Sequence, residues 1–114
     1  MQQGIMIMRW NGAKIGHEIE AMKLADEANL HFGALEDQGA TSSHEWIANF
    51  TGTDGGMVAL RGDPQSLMAV SASPEFQEIH LRGILHLDGW RLDIGLAGST
   101  VDDVYPGWRG LVGA

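Results

Sequence analysis

The chain has 114 residues, no cysteine and a formal net charge of −8. This length predicts one domain with a single core. The lack of cysteine excludes disulfides and thiolate metal sites, and an acidic chain without a basic stripe is a poor partner for nucleic acid. No apolar run is long enough to cross a membrane, and the N-terminal MQQGIMIMRW lacks the basic segment of a secretion signal. We therefore expect a cytoplasmic protein with neither a membrane nor a nucleic-acid partner.

The first half of the chain predicts a strand, a helix and a second strand. The apolar run from Ile5 to Trp10 is typical of a strand. The segment from Ala13 to Gln38 favours one long helix, and Gly39 fits the position just after its end. His44 to Thr51 alternates in polarity and predicts the second strand.

The second half of the chain follows the same plan. Met57 to Leu60 predicts a third strand after a glycine-rich hairpin loop. Asp63-Pro64 begins a helix, which Ser73-Pro74 breaks or kinks. Trp90 to Leu96 alternates as a fourth strand, and the tail over residues 99–114 has no clear period.

The predicted order β-α-β-β-α-β is that of the ferredoxin-like fold, an α+β fold with a four-stranded antiparallel sheet and its helices on one face. We assign residues 1–98 to this domain and residues 99–114 to a tail that packs on a partner subunit. The other sheet face mixes charged residues with too many apolar ones to stay bare. We infer a homodimer that pairs these faces, because two-fold pairing is the commonest closure.

Three charged residues are predicted to project into the interior of that dimer: Arg9, Arg91 and Asp93. They belong to the first and last strands, which are neighbours in this topology. A buried charge without a partner is costly. We therefore predict an ion pair between Arg9 and Asp93, joined by Arg91.

Five stretches of the chain resemble the dimeric α+β barrel superfamily over about residues 4–98. They are the helix end ALEDQG at 34–39, the Gly55-Gly56 hairpin, Arg61-Gly62-Asp63, the helix start SPEF at 73–76, and LDGWRL at 87–92. The resemblance is closest to small uncharacterised bacterial members. It implies a dimeric α/β barrel with pockets between each sheet and its helices. Better-known members are cofactor-free monooxygenases, muconolactone isomerases and haem-binding peroxidases, but none of their motifs can be matched to residues of this chain.

Four polar residues are candidates for chemistry. Glu18 and Asn29 fall within the apolar arc of the predicted first helix, and a carboxylate in such a place is a candidate base toward an acidic carbon. The alternative is that Glu18 lies in the first helical turn and reaches solvent. His80 and His44 lie on apolar faces and are candidate acids or bases of a pocket, although a core histidine with one hydrogen bond is the better explanation of each. We assign His80 and Glu18 as candidate catalytic residues.

Aromatic residues of the predicted strands lie on the helix-facing side. Trp10, Trp46, Trp90 and Phe50 are either plain core or the walls of a pocket for a flat apolar molecule. The predicted ligand-binding set is Trp46, Asn29, His44, Trp90 and Phe50.

Three functions fit these residues. The first is a barrel that binds a small apolar or aromatic molecule between sheet and helices, with cofactor-free proton transfer or monooxygenase-like chemistry. The second is a non-enzymatic homodimeric structural or accessory module whose cavities are filled. The third, haem binding, requires an accessible axial histidine, and we predict no cofactor. Glu27 and His31 share a helix face without a third ligand, so we predict no metal site either.

Overall fold

The structure, a computed structural model, describes residues 3–52 and 54–113. Four residues lie outside the described ones. They are Met1 and Gln2 at the start of the predicted domain, Thr53 of the hairpin loop, and Ala114 at the end of the predicted tail. The elements follow one another as β1 (Gly4–Trp10), β2 (Gly12–Ala13), α1 (Glu18–Asp37), β3 (Ser43–Ala48), β4 (Gly56–Gly62), α2 (Pro64–Ala72), α3 (Pro74–His86), β5 (Leu87–Asp88), β6 (Arg91–Leu96) and α4 (Ser99–Val112). None of the described helices is both long enough and apolar enough to span a bilayer.

The main sheet has four antiparallel strands in the order β3-β4-β1-β6. This order confirms the predicted ferredoxin-like fold. The two helix starts in its second half are capped as the sequence predicts. The Asp63 carboxylate accepts the N–H of Ser66 at 3.1 Å, and the Ser73 hydroxyl accepts that of Phe76 at 3.3 Å. Each cap satisfies a backbone donor that its helix leaves free, and the cap at Ser73 separates α3 from α2.

The first helix begins five residues later than predicted, at Glu18 rather than Ala13. The segment before it instead forms β2, which pairs with β5 in a small two-stranded sheet. Backbone bonds from Asn11 to Asp88 (2.7 Å) and from Lys14 to His86 (2.9 Å) hold the two segments together. Gly16, with φ of 86°, then turns the chain into α1.

The two faces of the main sheet have different environments. Met6, Met8 and Leu60 are buried on the face that packs against the helices, where Phe32 of α1 and Phe76 of α3 complete the core. The opposite face, here called the open face, carries alternating residues of the same strands. They are only half-buried or exposed, apart from small Ala59.

The register defines the centre of the open face. Ile7 is aligned with Asp93 of β6, and in the next row Arg9 lies between Met57 of β4 and Arg91 of β6. Apolar and charged side chains therefore alternate across this face, as the sequence predicts.

The C-terminal tail, in which the sequence analysis found no clear period, forms the helix α4. Thr100 is the buried residue of α4, and its hydroxyl accepts the backbone N–H of Gln3 at 2.8 Å. An apolar stripe on the same helix is exposed: Val101, Tyr105, Trp108 and Leu111. These residues recur every three or four positions, which is the spacing of an amphipathic helix that packs against another surface.

Candidate functional site

A cavity of about 380 Å³ opens between the main sheet, α1 and α3. Its walls are almost entirely apolar. The residues that line it are Met8, Trp10, Ala13, Glu18, Ala21, Met22, Leu24, Ala25, Ala28, Phe32, Trp46, Val58, Ile79, Leu87 and Trp90. This size lies at the lower end of the range of about 300–1,000 Å³ that is typical of small-molecule sites.

Three tryptophans dominate the cavity walls. The rings of Trp10 and Trp90 are stacked at 6.4 Å with an interplanar angle of 14°, and Trp46 meets Trp10 edge-on at 6.1 Å. Trp90 can lie flat against α3 because residue 83 is glycine. A Cβ atom at Gly83 would lie 2.6 Å from Cδ2 of Trp90, which is closer than real side chains approach.

Glu18 is the lining residue that carries a charge, and it lies in the first turn of α1. It is exposed, and its Oε1 accepts the backbone N–H of Gly16 at 3.3 Å. The structure therefore matches the interpretation that places Glu18 in the first turn with access to solvent, and it also places this residue at the cavity.

Asn29 and His44 lie behind Trp46 and do not line the cavity. The indole N–H of Trp46 donates to Asn29 Oδ1 at 2.9 Å, and Nε2 of His44 lies 3.1 Å from the same oxygen. Nδ1 of His44 contacts a carboxylate oxygen of Glu36. Because an indole can only donate, Asn29 Oδ1 must be the acceptor, and Nε2 of His44 must donate to it as well.

His80 supports Trp90 in the same way. Nδ1 of His80 accepts the indole N–H of Trp90 at 2.9 Å, and His80 is not among the lining residues. That bond occupies the lone pair that a general base would use. The geometry therefore makes His80 a support for the Trp90 wall rather than a base that faces the cavity.

Phe50 is a further sequence-predicted ligand residue that the structure places away from the cavity. β3 ends at Ala48, and Phe50 follows in the hairpin loop, completely exposed. Its predicted place on the helix-facing side of the sheet is therefore wrong, because the alternation in the sequence continues beyond the end of the strand.

The predicted ion pair between Arg9 and Asp93 does not form within the described residues. Register aligns Arg9 with Arg91, not with Asp93, and Arg91 pairs with Asp54 of the hairpin loop instead. Nε of Arg9 is buried and finds no hydrogen-bond partner in the described part of the chain.

A set of ligands for a metal ion or for haem is absent from the described residues around the cavity. Residues 3–52 and 54–113 contain no group of three side chains arranged to hold a metal ion. No histidine is among the lining residues that the structure describes, so this cavity offers haem no imidazole ligand.

Replacing Asn29 by Ala is expected to release the Trp46 side chain from its hydrogen bond and to destabilise the protein. The substitution removes the oxygen that accepts both the Trp46 indole and the His44 ring, and losing such bonds at a partly exposed site costs about 0.5–1.5 kcal/mol. Urea denaturation measures the loss, and the indole N–H resonance of Trp46 in ¹H–¹⁵N spectra measures the exposure of its donor. Asn49→Ala is the control, because Asn49 is half-buried outside this network. Equal effects of the two substitutions would contradict a special role for Asn29.

Comparison with known proteins identifies the fold. No family model and no curated protein matches the sequence. A ferredoxin-like dabb family protein from Mesorhizobium loti matches with a TM-score of 0.68 at 8% identity, covering 86% of this chain and 99% of that one. A dimeric ferredoxin-like protein of unknown function from Bacteroides fragilis gives 0.60 at 9% identity, with coverages of 83% and 96%.

An oxygenase shares the same fold. SnoaB from Streptomyces nogalater, a cofactor-independent oxygenase, matches with a TM-score of 0.60 at 8% identity, covering 86% of this chain and 95% of that one. Identities this low establish the fold and no activity. They show that the chain has the ferredoxin-like α+β fold of those proteins, which is the fold that the resemblance to the dimeric α+β barrel superfamily implies.

Proposed function

We propose that this protein binds a small apolar or aromatic molecule in the cavity between its sheet and its helices. The observation that carries the proposal is the cavity of about 380 Å³ whose walls include Trp10, Trp46 and Trp90. Indole rings offer flat apolar surfaces of the kind that aromatic ligands stack on. Met8 and Met22 add flexible side chains that can adapt to a ligand's outline.

Two of the three tryptophans, Trp46 and Trp90, are held in place before any ligand binds. Asn29 holds the indole of Trp46, and His80 holds that of Trp90. A wall whose rings are already fixed loses less conformational entropy on binding than a mobile wall does. This arrangement favours a binding site over an accidental gap in the core.

Chemistry in this cavity, as a further part of the proposal, would be cofactor-free. Proton abstraction from a bound ligand would fall to Glu18, which faces the cavity, and not to His80, whose Nδ1 already accepts a hydrogen bond. A cofactor-independent oxygenase with the same fold is consistent with such chemistry.

Filling the cavity is expected to abolish ligand binding. Ala21 is a half-buried lining residue of α1, and Ala21→Phe would place a ring where the ligand lies. The probe is N-phenyl-1-naphthylamine, a neutral aromatic amine whose fluorescence rises in apolar sites. We expect its dissociation constant to rise at least tenfold, equivalent to about 1.4 kcal/mol.

The control for this test is Ala72→Phe, because Ala72 is exposed on α2 and does not line the cavity. Ala25→Phe, at another lining position, replaces the first variant should that one fail to fold. A wild-type protein that does not bind the probe, or equal binding by all the variants, would overturn the proposal.

A second candidate function, a homodimeric module, is favoured by the open face. Arg9 has a buried Nε without a partner in the described chain, and Asp93 on the same face is exposed and unpaired among the described residues. A second copy turned by a two-fold axis can bring each charge to its complement. We propose that the open face and the apolar stripe of α4 both bury against that copy, since a protein of the same fold is described as dimeric.

A further inference from the structure

We propose that Glu18 selects the ligand by charge, so that the cavity favours aromatic molecules bearing a cation or a strong hydrogen-bond donor over aromatic carboxylates. This inference rests on the proposed function, because it concerns the ligand of the same cavity. Glu18 is the one ionisable side chain among the described residues that line the cavity. The other lining residues are apolar or aromatic.

Two of the three tryptophan walls, Trp46 and Trp90, do not offset this negative charge. The indole N–H groups of Trp46 and Trp90 donate to Asn29 and His80, so both donors are already used behind the walls. A carboxylate on the ligand would find neither of these N–H groups available. The ring faces that remain carry negative potential, which attracts cations.

Glu18 itself has capacity for a ligand. Its Oε1 accepts a single long bond from Gly16 N–H, and the four ion pairs of the described chain all use other carboxylates. The adjacent His17 is occupied as well, because its Nδ1 lies 3.0 Å from Nδ1 of His86. A carboxylate without a cationic partner at the side of an apolar cavity is free to accept a bond from a ligand's ammonium or N–H group.

The same carboxylate acts against anions. Two negative charges separated by a few ångströms repel each other more strongly beside apolar walls than in bulk water. A specific site uses such repulsion to reject a ligand of otherwise suitable shape. The charge of Glu18 therefore discriminates among ligands that stack equally well on the tryptophans.

The test compares three ligands that share one ring system. Isothermal titration calorimetry at low ionic strength measures binding of 1-naphthylmethylamine (a cation), 1-naphthalenemethanol (neutral) and 1-naphthylacetate (an anion) to the wild-type protein and to Glu18→Gln. In the wild type we expect the amine to bind roughly tenfold or more tightly than the acetate. In Glu18→Gln that preference should shrink severalfold, while binding of the neutral alcohol should change little.

Glu20→Gln separates a local effect from the overall negative charge of the chain. Glu20 lies two residues further along α1, is exposed and does not line the cavity, so its replacement should keep the wild-type preference. If none of the three ligands binds the wild type, the proposed function itself fails. If all three bind with similar affinity, or if both Gln variants lose the preference equally, charge selection by Glu18 is wrong and the binding function stands.

Discussion

Replacing Gly83 by Ala is expected to destabilise the protein by about 1–3 kcal/mol, the usual cost of overpacking. Replacing a glycine in a helix interior by alanine ordinarily stabilises a protein by about 0.5–1 kcal/mol, because alanine loses less backbone entropy on folding. At Gly83 this gain is outweighed because a Cβ atom would lie 2.6–2.7 Å from three ring atoms of Trp90. Trp90 cannot easily yield, since Trp10 stacks on its ring and His80 holds its N–H.

Gly33 provides a matched control in α1. A Cβ atom at Gly33 would meet no atom within 4 Å outside its own helix and neighbours, so Gly33→Ala should stabilise the chain by about 0.5–1 kcal/mol. Urea denaturation of the two variants should therefore give shifts of opposite sign. If Gly83→Ala stabilised the protein as much as Gly33→Ala does, the close packing of Trp90 on α3 would be disproved.

Most of the fold is predictable because the residues that mark its helix and strand boundaries act locally. Asp63 and Ser73 mark the starts of α2 and α3, and each caps its helix in the structure. The sheet formed by β2 and β5 was not predicted, because two-residue strands have no periodicity and form only when distant segments meet. The tail contains Pro106 and several glycines, which disfavour a helix, although its apolar spacing was the signal that α4 exists.

The cavity walls are partly predictable, whereas the roles of the polar residues around them are not. Trp46 and Trp90 line the cavity as the strand alternation predicts, and Glu18 reaches it as well. Asn29 and His80, predicted as residues of the pocket itself, lie behind its tryptophans and do not line it. Their bonds to the indole N–H groups depend on side-chain rotamers, which are set by tertiary packing and leave no mark on the sequence.

Phe32 was missed as a lining residue. Its position in the apolar arc of α1 was the available signal, but a core residue and a cavity wall share that pattern. Distinguishing the two requires the volume left unfilled between elements, which is a property of the packed structure.

Replacing Ile7 by Asp is expected to convert the proposed homodimer into a monomer. Ile7 lies at the centre of the open face, aligned with Asp93 of β6, so the new carboxylate would face the partner subunit beside an existing negative charge. Burying such a group without a compensating partner opposes association. We expect the dimer dissociation constant to rise at least a hundredfold, equivalent to about 2.7 kcal/mol, with the fold retained because Ile7 is only half-buried in the single chain.

Sedimentation velocity over a range of concentrations measures this change, and circular dichroism verifies the fold. Ile15→Asp is the matched control, because Ile15 is 97% exposed before α1 and its replacement should leave the dimer intact. A shorter chain that ends at Gly98 measures how much α4 contributes to dimerisation, because it lacks the exposed stripe that includes Trp108 and Leu111. We expect this shorter chain to dimerise more weakly than the full chain and to keep the sheet, whose strands end before α4 begins. A wild-type chain that is monomeric at all concentrations, or an Ile7→Asp dimer as tight as the wild type, would show that the open face does not pair two copies.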